Sequence, residues 1–309
     1  MADRDQAMLH ILVIHERSVP FVGGTIAFLD AVMRDRYPRY AQIRVANSVD
    51  EAQVEGPAVI FMIGERLGTF TKRPDCFYVH MNFSVVAMIG SPFAMSLKGA
   101  QHIWKKRALL ESKVRVSDAV LDFYPAQTNT LSRRLSCPVL GFMPYSETSE
   151  VPALPLADRP WDVCFVGSLS PRRERVLEEV CARGLTLSPA SGADIESIAA
   201  QSRTTLNVHF HASNHLEIPR IIGSLSAATP VVTERSYGLK DILDGGIISC
   251  RARRLASLTE ALVANPARLN ELSEAARSAH WRYKNRAHDL LHTSLDEIDR
   301  LSRVAKMAF

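Results

Sequence analysis

Three groups of residues in this 309-residue chain could carry chemistry by type and spacing. Between an apolar run, Trp161 to Val166, and a helical pattern from Glu174 to Arg183 lies Gly167-Ser168-Leu169-Ser170-Pro171-Arg172-Arg173. A small-residue turn there leaves backbone amides unpaired at the positive end of a helix dipole, and Ser168, Ser170, Arg172 and Arg173 add donors. That makes a phosphate cradle. The plainer alternative is a turn with Pro171 at the first helical position and solvated arginines.

His209, Glu217, Arg220 and Glu234 form the second group. A carboxylate facing a crevice accepts hydrogen bonds from the vicinal hydroxyls of a ribose or hexose, and arginine pairs with phosphate. Read singly, Glu217 is an N-terminal helix charge and Arg220 its i,i+3 salt-bridge partner. The third group is His15, Glu65 and His80, each at the end of an apolar run. Histidine suits removal of a hydroxyl proton near neutral pH, although a lone strand-end histidine also serves structure. No Ser-His-Asp order, HExxH, Walker-type GxxxxGK[ST] or paired-cysteine motif appears, so hydrolase and nucleoside-triphosphatase chemistry lacks support.

These groups need strands and helices to hold them. Leu206, Val208 and Phe210 alternate with Asn207, His209 and His211, which predicts a strand with one apolar and one polar face. Pro219 has no amide proton, so a helix should start near Leu216 to Ile218. Ile218, Ile221, Ile222 and Leu225 then face a core while Glu217, Arg220 and Ser224 share the opposite stripe. Thr229-Pro230 ends that helix, and Val231 to Glu234 restarts as a strand that delivers a carboxylate to its C-terminal end. In an open parallel sheet, ligands bind beyond such ends.

Upstream, Leu9 to Ile14, Ile43 to Ala46, Ala58 to Ile63, Cys76 to His80, Val116 to Asp122 and Val139 to Met143 read as strands. Val22-Gly23-Gly24-Thr25 reads as a turn before a helix from Ile26 to Met33, and the region lacks the GxGxxG dinucleotide fingerprint. Helices are predicted at Ala100 to Val114 and from Pro125, and Met81 to Leu97 has no period. This alternation is that of a doubly wound α/β unit over residues 1–148. Tyr145 to Pro160, rich in Ser, Pro and acidic residues, reads as an inter-domain linker, bounded as 149–160 between the two units. A second α/β unit spans 161–285, including a short strand at Gly184 to Leu187 and a helix at Ala193 to Gln201. Ile242 to Ser249 leads into Leu255 to Ala264, Asn265-Pro266 begins a helical segment to about Tyr283, and Leu290 to Met307 reads as a last amphipathic helix.

With 47% hydrophobic and 23% charged residues, the composition is that of a soluble globular protein. A net charge of +4, with dispersed Lys and Arg, does not imply nucleic acid and is compatible with a phosphorylated ligand. Five scattered cysteines suggest neither zinc nor a disulfide framework, so a reducing cytoplasm is expected. The charged start lacks a signal-peptide core, and no run is apolar enough to span a bilayer, which leaves membrane contact at most peripheral.

At this point WDVCFVGSLSPRRER, from Trp161, resembles the opening of the donor-binding domain in CgeB-like, GT-B-fold glycosyltransferases, with a family 1/4-like donor domain. Leu206 to Glu234 is similar to that family's LNxHY…LExxRIxExLSxGxPVVSE stretch, and Ser117 to Pro125 to its DYSP element. The resemblance implies two Rossmann-like domains facing across a cleft, with a C-terminal helix, about 286–309, packing back on the N-terminal one. It implies transfer from a nucleoside-diphosphate sugar to an acceptor hydroxyl of unknown identity, with no cofactor or essential metal. Gly167, Ser168 and Arg172 would hold the diphosphate, with His209, Glu217 and Arg220 around the donor. The chain departs from the pattern at Gly223, where the family's helix carries Glu, so a carboxylate contact to ribose or sugar is either missing or supplied by Glu217 or Glu234. A silent sugar-nucleotide-binding or scaffold protein, or a GT-B-fold epimerase, are the alternatives.

Overall fold

The apolar runs become the strands of two parallel sheets. In a computed structural model, which describes residues 8–64, 66–83, 97–146, 153–188, 195–210, 216–236 and 238–307, the first sheet holds β1 (Leu9–Ile14), β2 (Tyr40–Val45), β3 (Ala58–Ile63), β4 (Cys76–Asn82), β5 (Ala119–Asp122) and β6 (Val139–Gly141). Helices α1 (Val19–Arg36), α2 (Leu97–Val114) and α3 (Pro125–Ser132) lie between them in the chain. The strand order is β2-β1-β3-β4-β5-β6, parallel throughout. Neighbours β3 and β4 are buried along their whole length, as central strands covered on both faces must be.

Two expectations change here. Gly23 and Gly24 lie inside α1 and do not form a turn, because Pro20 starts the helix a full two turns earlier than the apolar pattern does. Gly24 serves close packing: a Cβ there would stand 2.3 Å from Ser146 Oγ. β5 starts at Ala119, three residues later than predicted, since α2 and a turn take up the chain to Asp118.

The second sheet has the order β10-β9-β8-β7, again parallel. Its elements are β7 (Trp161–Cys164), α4 (Pro171–Ala182), α5 (Ile195–Ala199), β8 (Ser202–Asn207), α6 (Ile218–Ser226), β9 (Val231–Glu234), α7 (Leu239–Ile242), β10 (Ile247–Cys250), α8 (Leu255–Val263) and α9 (Pro266–Met307). The strand predicted at Gly184 to Leu187 shrinks to one bridge between Val163 and Leu187. β8 begins four residues before the alternating run, and both of its faces are buried. Its polar residues are paired inside: Thr204 Oγ1 donates to Pro230 O at 3.0 Å, and Asn207 Nδ2 to Thr233 Oγ1 at 2.9 Å. Ser224, expected on the open stripe of α6, is fully buried and donates to Arg220 O.

Two predicted C-terminal helices are one helix of 42 residues. Tyr283, Ala287, Leu291, Leu295 and Ile298 are all buried and carry an apolar stripe across the polar stretch where a break was expected. The chain divides into two compact units. One holds β1 to β6 together with α9 from Ala287 onward, and the other holds β7 to β10 with α9 up to Arg286. In the first unit Arg36 Nη2 donates to Asp296 at 2.6 Å and to Asp299 at 2.8 Å, and Ser294 Oγ donates to Gly141 O at 2.6 Å. In the second, Arg159 is buried with no carboxylate partner among the described residues. Its guanidinium instead donates to the Leu154, Ala199, Ser202 and Ala227 carbonyls and to Thr229 Oγ1, at the C-terminal ends of α5 and α6 where a cation is favoured. Burial still lowers its pKa to about 10. No helix among the described residues is long and apolar enough to cross a membrane.

Candidate functional site

β7 runs through Phe165 and Val166 into Gly167, which takes φ +141°, a conformation natural only to glycine. Ser170 then caps α4, its hydroxyl accepting from the Arg173 amide at 3.4 Å, and Pro171 follows in the first turn. The turn therefore joins a strand end to a helix N-terminus, as the sequence predicts.

Three arginines and two glutamates surround it. Arg172 forms a fork with Glu234: Nη1 donates to Oε1 at 2.6 Å and Nη2 to Oε2. Nη1 also donates to His209 O at 3.0 Å, and the His209 amide donates to Glu234 Oε1 at 2.8 Å. Arg173, only 2% exposed, donates to Val208 O at 2.9 Å, Ser168 O at 2.7 Å and Glu217 Oε1 at 3.1 Å. Its guanidinium carbon lies 5.3 Å from the Phe165 ring centroid and 5.2 Å from that of Phe210. Arg220 Nη1 donates to Glu217 Oε2 and to Asn207 Oδ1, both at 2.7 Å.

Two guanidiniums meet the turn, Arg220 through Nη2 and Arg173 through the Nη1 that also donates to Ser168 O. A Cβ on Gly167 would lie 3.0 Å from Arg220 Nη2 and 3.2 Å from Arg173 Nη1, pressing on both guanidiniums. Burial and then the nearby Arg220 lower the Arg173 pKa to about 10, while Glu217 opposes them, so the group stays charged at neutral pH. Three cations against two carboxylates leave one positive charge over. The constellation thus suits an anion at the Gly167 turn.

The structure brings the predicted residues Gly167, Ser168, Arg172, Arg173, His209, Glu217, Arg220 and Glu234 together, but with altered parts. Glu217 and Glu234 are held by arginines rather than presented bare. Arg172 is spent on Glu234, and Arg220 and Arg173 are the arginines that face the turn. The His209 ring is buried, with Nε2 3.0 Å from Ser236 Oγ.

The predicted residues of the N-terminal unit are less open. His80 lies two residues inside β4, not at its end, and is 1% exposed. Burial, with a smaller push from Lys113, lowers its pKa to about 3, so it is neutral at ordinary pH. His15 caps a 3-10 turn, Nδ1 accepting from the Arg17 amide at 3.1 Å. Glu65 lies outside the described residues. Sequence reasoning missed Asp122, a buried carboxyl at the end of β5 whose Oδ1 accepts from Asn82 Nδ2 at 2.6 Å and Gln127 Nε2 at 2.8 Å. Desolvation raises its pKa to about 7 against these bonds. The signal was the one that picked out Glu234: a carboxylate closing an apolar strand.

Residues 159–292, which hold this arginine cluster, match the family described as Glycosyl transferase-like. The likeness covers less than half of the chain. The match names that wider family, while the CgeB-like kinship remains a resemblance of motifs. No curated protein matches the chain. Sucrose-phosphate synthase from Thermosynechococcus elongatus superposes with a TM-score of 0.64 at 12% identity, over 94% of this chain and 100% of that one. Anabaena HepE in complex with UDP and glucose gives 0.59 at 10% identity, over 92% and 98%. A variant of S. aureus TarM in complex with Fondaparinux, α-GlcNAc-glycerol and UDP gives 0.58 at 12% identity, over 89% of this chain but 58% of that one. This chain therefore spans less than two thirds of TarM. At such identities the likeness is one of fold, and the chain with its two parallel sheets has the GT-B fold.

Proposed function

We propose that the chain is a nucleotide-sugar-dependent glycosyltransferase, moving a sugar from a nucleoside-diphosphate sugar to an acceptor hydroxyl without a metal. The observation that carries this reading is the meeting of Arg220 Nη2 and Arg173 Nη1 at the bare Cα of Gly167, beside the N-terminus of α4. Diphosphate placed there meets two guanidinium edges and the helix amides. As the bond from the anomeric carbon to the phosphate oxygen breaks, the electron pair leaves with the diphosphate, and these groups stabilise the growing negative charge. The acceptor oxygen forms the new bond to the anomeric carbon, and its proton passes to the departing diphosphate or to water. Fixed arginines supply the positive charge that a divalent cation supplies elsewhere. The HepE and TarM complexes contain UDP, which makes UDP-sugars the first donors to try. Five free thiols fit a reducing cytoplasm as the place of action.

The test is a thermal-shift and nucleoside-diphosphate-release screen across UDP-, GDP-, TDP- and ADP-sugars, in EDTA. A donor is expected to raise Tm and to release nucleoside diphosphate; absence of both across the panel would overturn the reading. Arg220→Ala is expected to abolish the donor-induced shift, with binding weakened at least about tenfold by loss of a charge-assisted contact. The arginine pairing of Glu217 and Glu234 favours one second reading, a silent sugar-nucleotide-binding module. A Tm shift without release of nucleoside diphosphate would mark it.

A further inference from the structure

We propose that four arginines at the C-terminal ends of β9 and β10, Arg235, Arg251, Arg253 and Arg254, bind the acceptor through a phosphate or carboxylate group. The acceptor is thus a hydroxyl compound that also carries an oxyanion. This inference rests on the transferase reading and names a substrate class for it. Glu234 and Cys250 are partners in the β9–β10 register, and the Arg235 amide donates to Cys250 O at 2.9 Å. Arg235 and Arg251 therefore follow side by side at the sheet edge, on strands roughly 5 Å apart. Arg253 and Arg254 belong to the 3-10 turn Ala252–Arg254 that runs into α8. Burial raises the pKa of the Cys250 thiol, Arg254 lowers it, Glu234 raises it and Arg235 lowers it, so these charges gather around one strand end.

Solvated arginines ordinarily sit interspersed with carboxylates, and these do not. All four side chains are exposed, and none has a partner among the described residues. Neighbouring carboxylates are taken: Glu234 by Arg172, Glu260 by Arg183 and Asp244 by Arg282. Like charges side by side on adjacent strands cost stability. The helix adds to that cost, because its start carries no acidic residue and no side-chain cap, and cations are disfavoured at the positive end of a helix dipole. Uncompensated guanidiniums of this kind suit an oxyanion, which they grip through paired N–H groups. The diphosphate site lies toward the other edge of the sheet. In the order β10-β9-β8-β7, three strand spacings, roughly 14 Å, separate Arg251 from the side of β7 that leads to Gly167. One diphosphate does not bridge that distance, so the anion belongs to the second substrate. That substrate then lies beyond the same strand ends as the donor, next to the fork of Arg172 and Glu234.

Calorimetric titration of the whole chain with glucose, glucose 6-phosphate, glucuronate and inorganic phosphate is the test, each at saturating nucleoside diphosphate of the base that the donor screen selects. An anionic sugar is expected to bind at least about tenfold more tightly than glucose, the gain typical of one hydrogen bond to a charged group, and more tightly than inorganic phosphate. A lead for glucose 6-phosphate assigns phosphate to the acceptor, and a lead for glucuronate assigns carboxylate. The double variant Arg235→Gln/Arg251→Gln should lose the preference, while its affinity for the nucleoside diphosphate stays at the wild-type value and its apo Tm does not fall. No preference over glucose, a preference kept in full by the variant, or inorganic phosphate binding as tightly as either anionic sugar overturns the acceptor site, while nucleotide binding and release stand. A chain that binds no nucleoside diphosphate and releases none from any donor overturns the transferase reading, and the acceptor role with it, whatever its preference among the sugars.

Discussion

Replacing Arg173 with leucine is expected to lower stability by about 3–5 kcal/mol, the usual result of removing one partner from a buried ionic network. The side chain is 2% exposed, and its three donors go to Val208 O, Ser168 O and Glu217 Oε1. Leucine fills part of the volume between Phe165 and Phe210 but leaves two carbonyls without their donor and Glu217 with Arg220 alone. Each abandoned buried acceptor costs about 1–3 kcal/mol. Lysine keeps the charge yet cannot reach three separated acceptors with one ammonium, so Arg173→Lys should recover only part of the loss. Thermal unfolding should show Tm down by on the order of 10 °C for the leucine variant. Arg172→Ala breaks a more exposed pair, at 24% and 9% side-chain exposure, and should cost less. A leucine variant as stable as the wild type would mean that Arg173 does not hold the turn.

Much of the fold was legible because parallel strands buried on both faces are apolar runs. Leu9–Ile14 and Ala58–Ile63 coincide with the predicted strands to the residue. The sequence misled where polar residues are paired inside. Ser202-Arg203-Thr204-Thr205 carries no period, yet it starts β8 because Thr204 and Thr205 find partners across neighbouring strands. α9 was broken in two by its polar middle, since periodicity shows the apolar stripe only once buried alanines such as Ala276 and Ala287 are counted in it.

The site was legible as a set and not as a circuit. Glycine, small residues and Pro171 between strand and helix foretold the Gly167 turn, because those signals are local. Which arginine faces it depends on pairings across 62 residues, Arg172 with Glu234, and across 44, Arg173 with Glu217. Nothing local distinguishes Arg172 from Arg173. Gly223 likewise looks like a missing side chain in the sequence and becomes, in three dimensions, the seat of Glu196.

Asp122 and His80 should dominate the pH dependence of stability, with opposite signs. Asp122 has its folded pKa raised from 3.8 to about 7 by burial, so the native state holds the proton longer than the unfolded chain does. Its contribution is present below pH 3.8 and is lost as pH rises through 7. His80 has its folded pKa lowered from 6.5 to about 3, so the native state refuses a proton that the unfolded chain accepts. Its contribution is present above pH 6.5 and is lost as pH falls toward 3. Each fully developed slope is about 1.4 kcal/mol per pH unit, so between roughly pH 4 and 6.5 the two largely cancel in the wild type. Asp122→Asn removes one of them. Urea unfolding of that variant should show stability rising with pH across the window where the wild type is flat. Above pH 7 it should exceed the wild type by up to about 4 kcal/mol, since asparagine keeps an oxygen for Asn82 and Gln127 without a buried charge. His80→Gln should tilt the other way, its stability falling as pH rises from 4 to 7. Asp122→Asn with the slope of the wild type would show that the carboxyl is ionised and solvated in the native state. The comparison also bears on catalysis: a histidine that stays neutral down to about pH 3 offers little driving force for taking a hydroxyl proton.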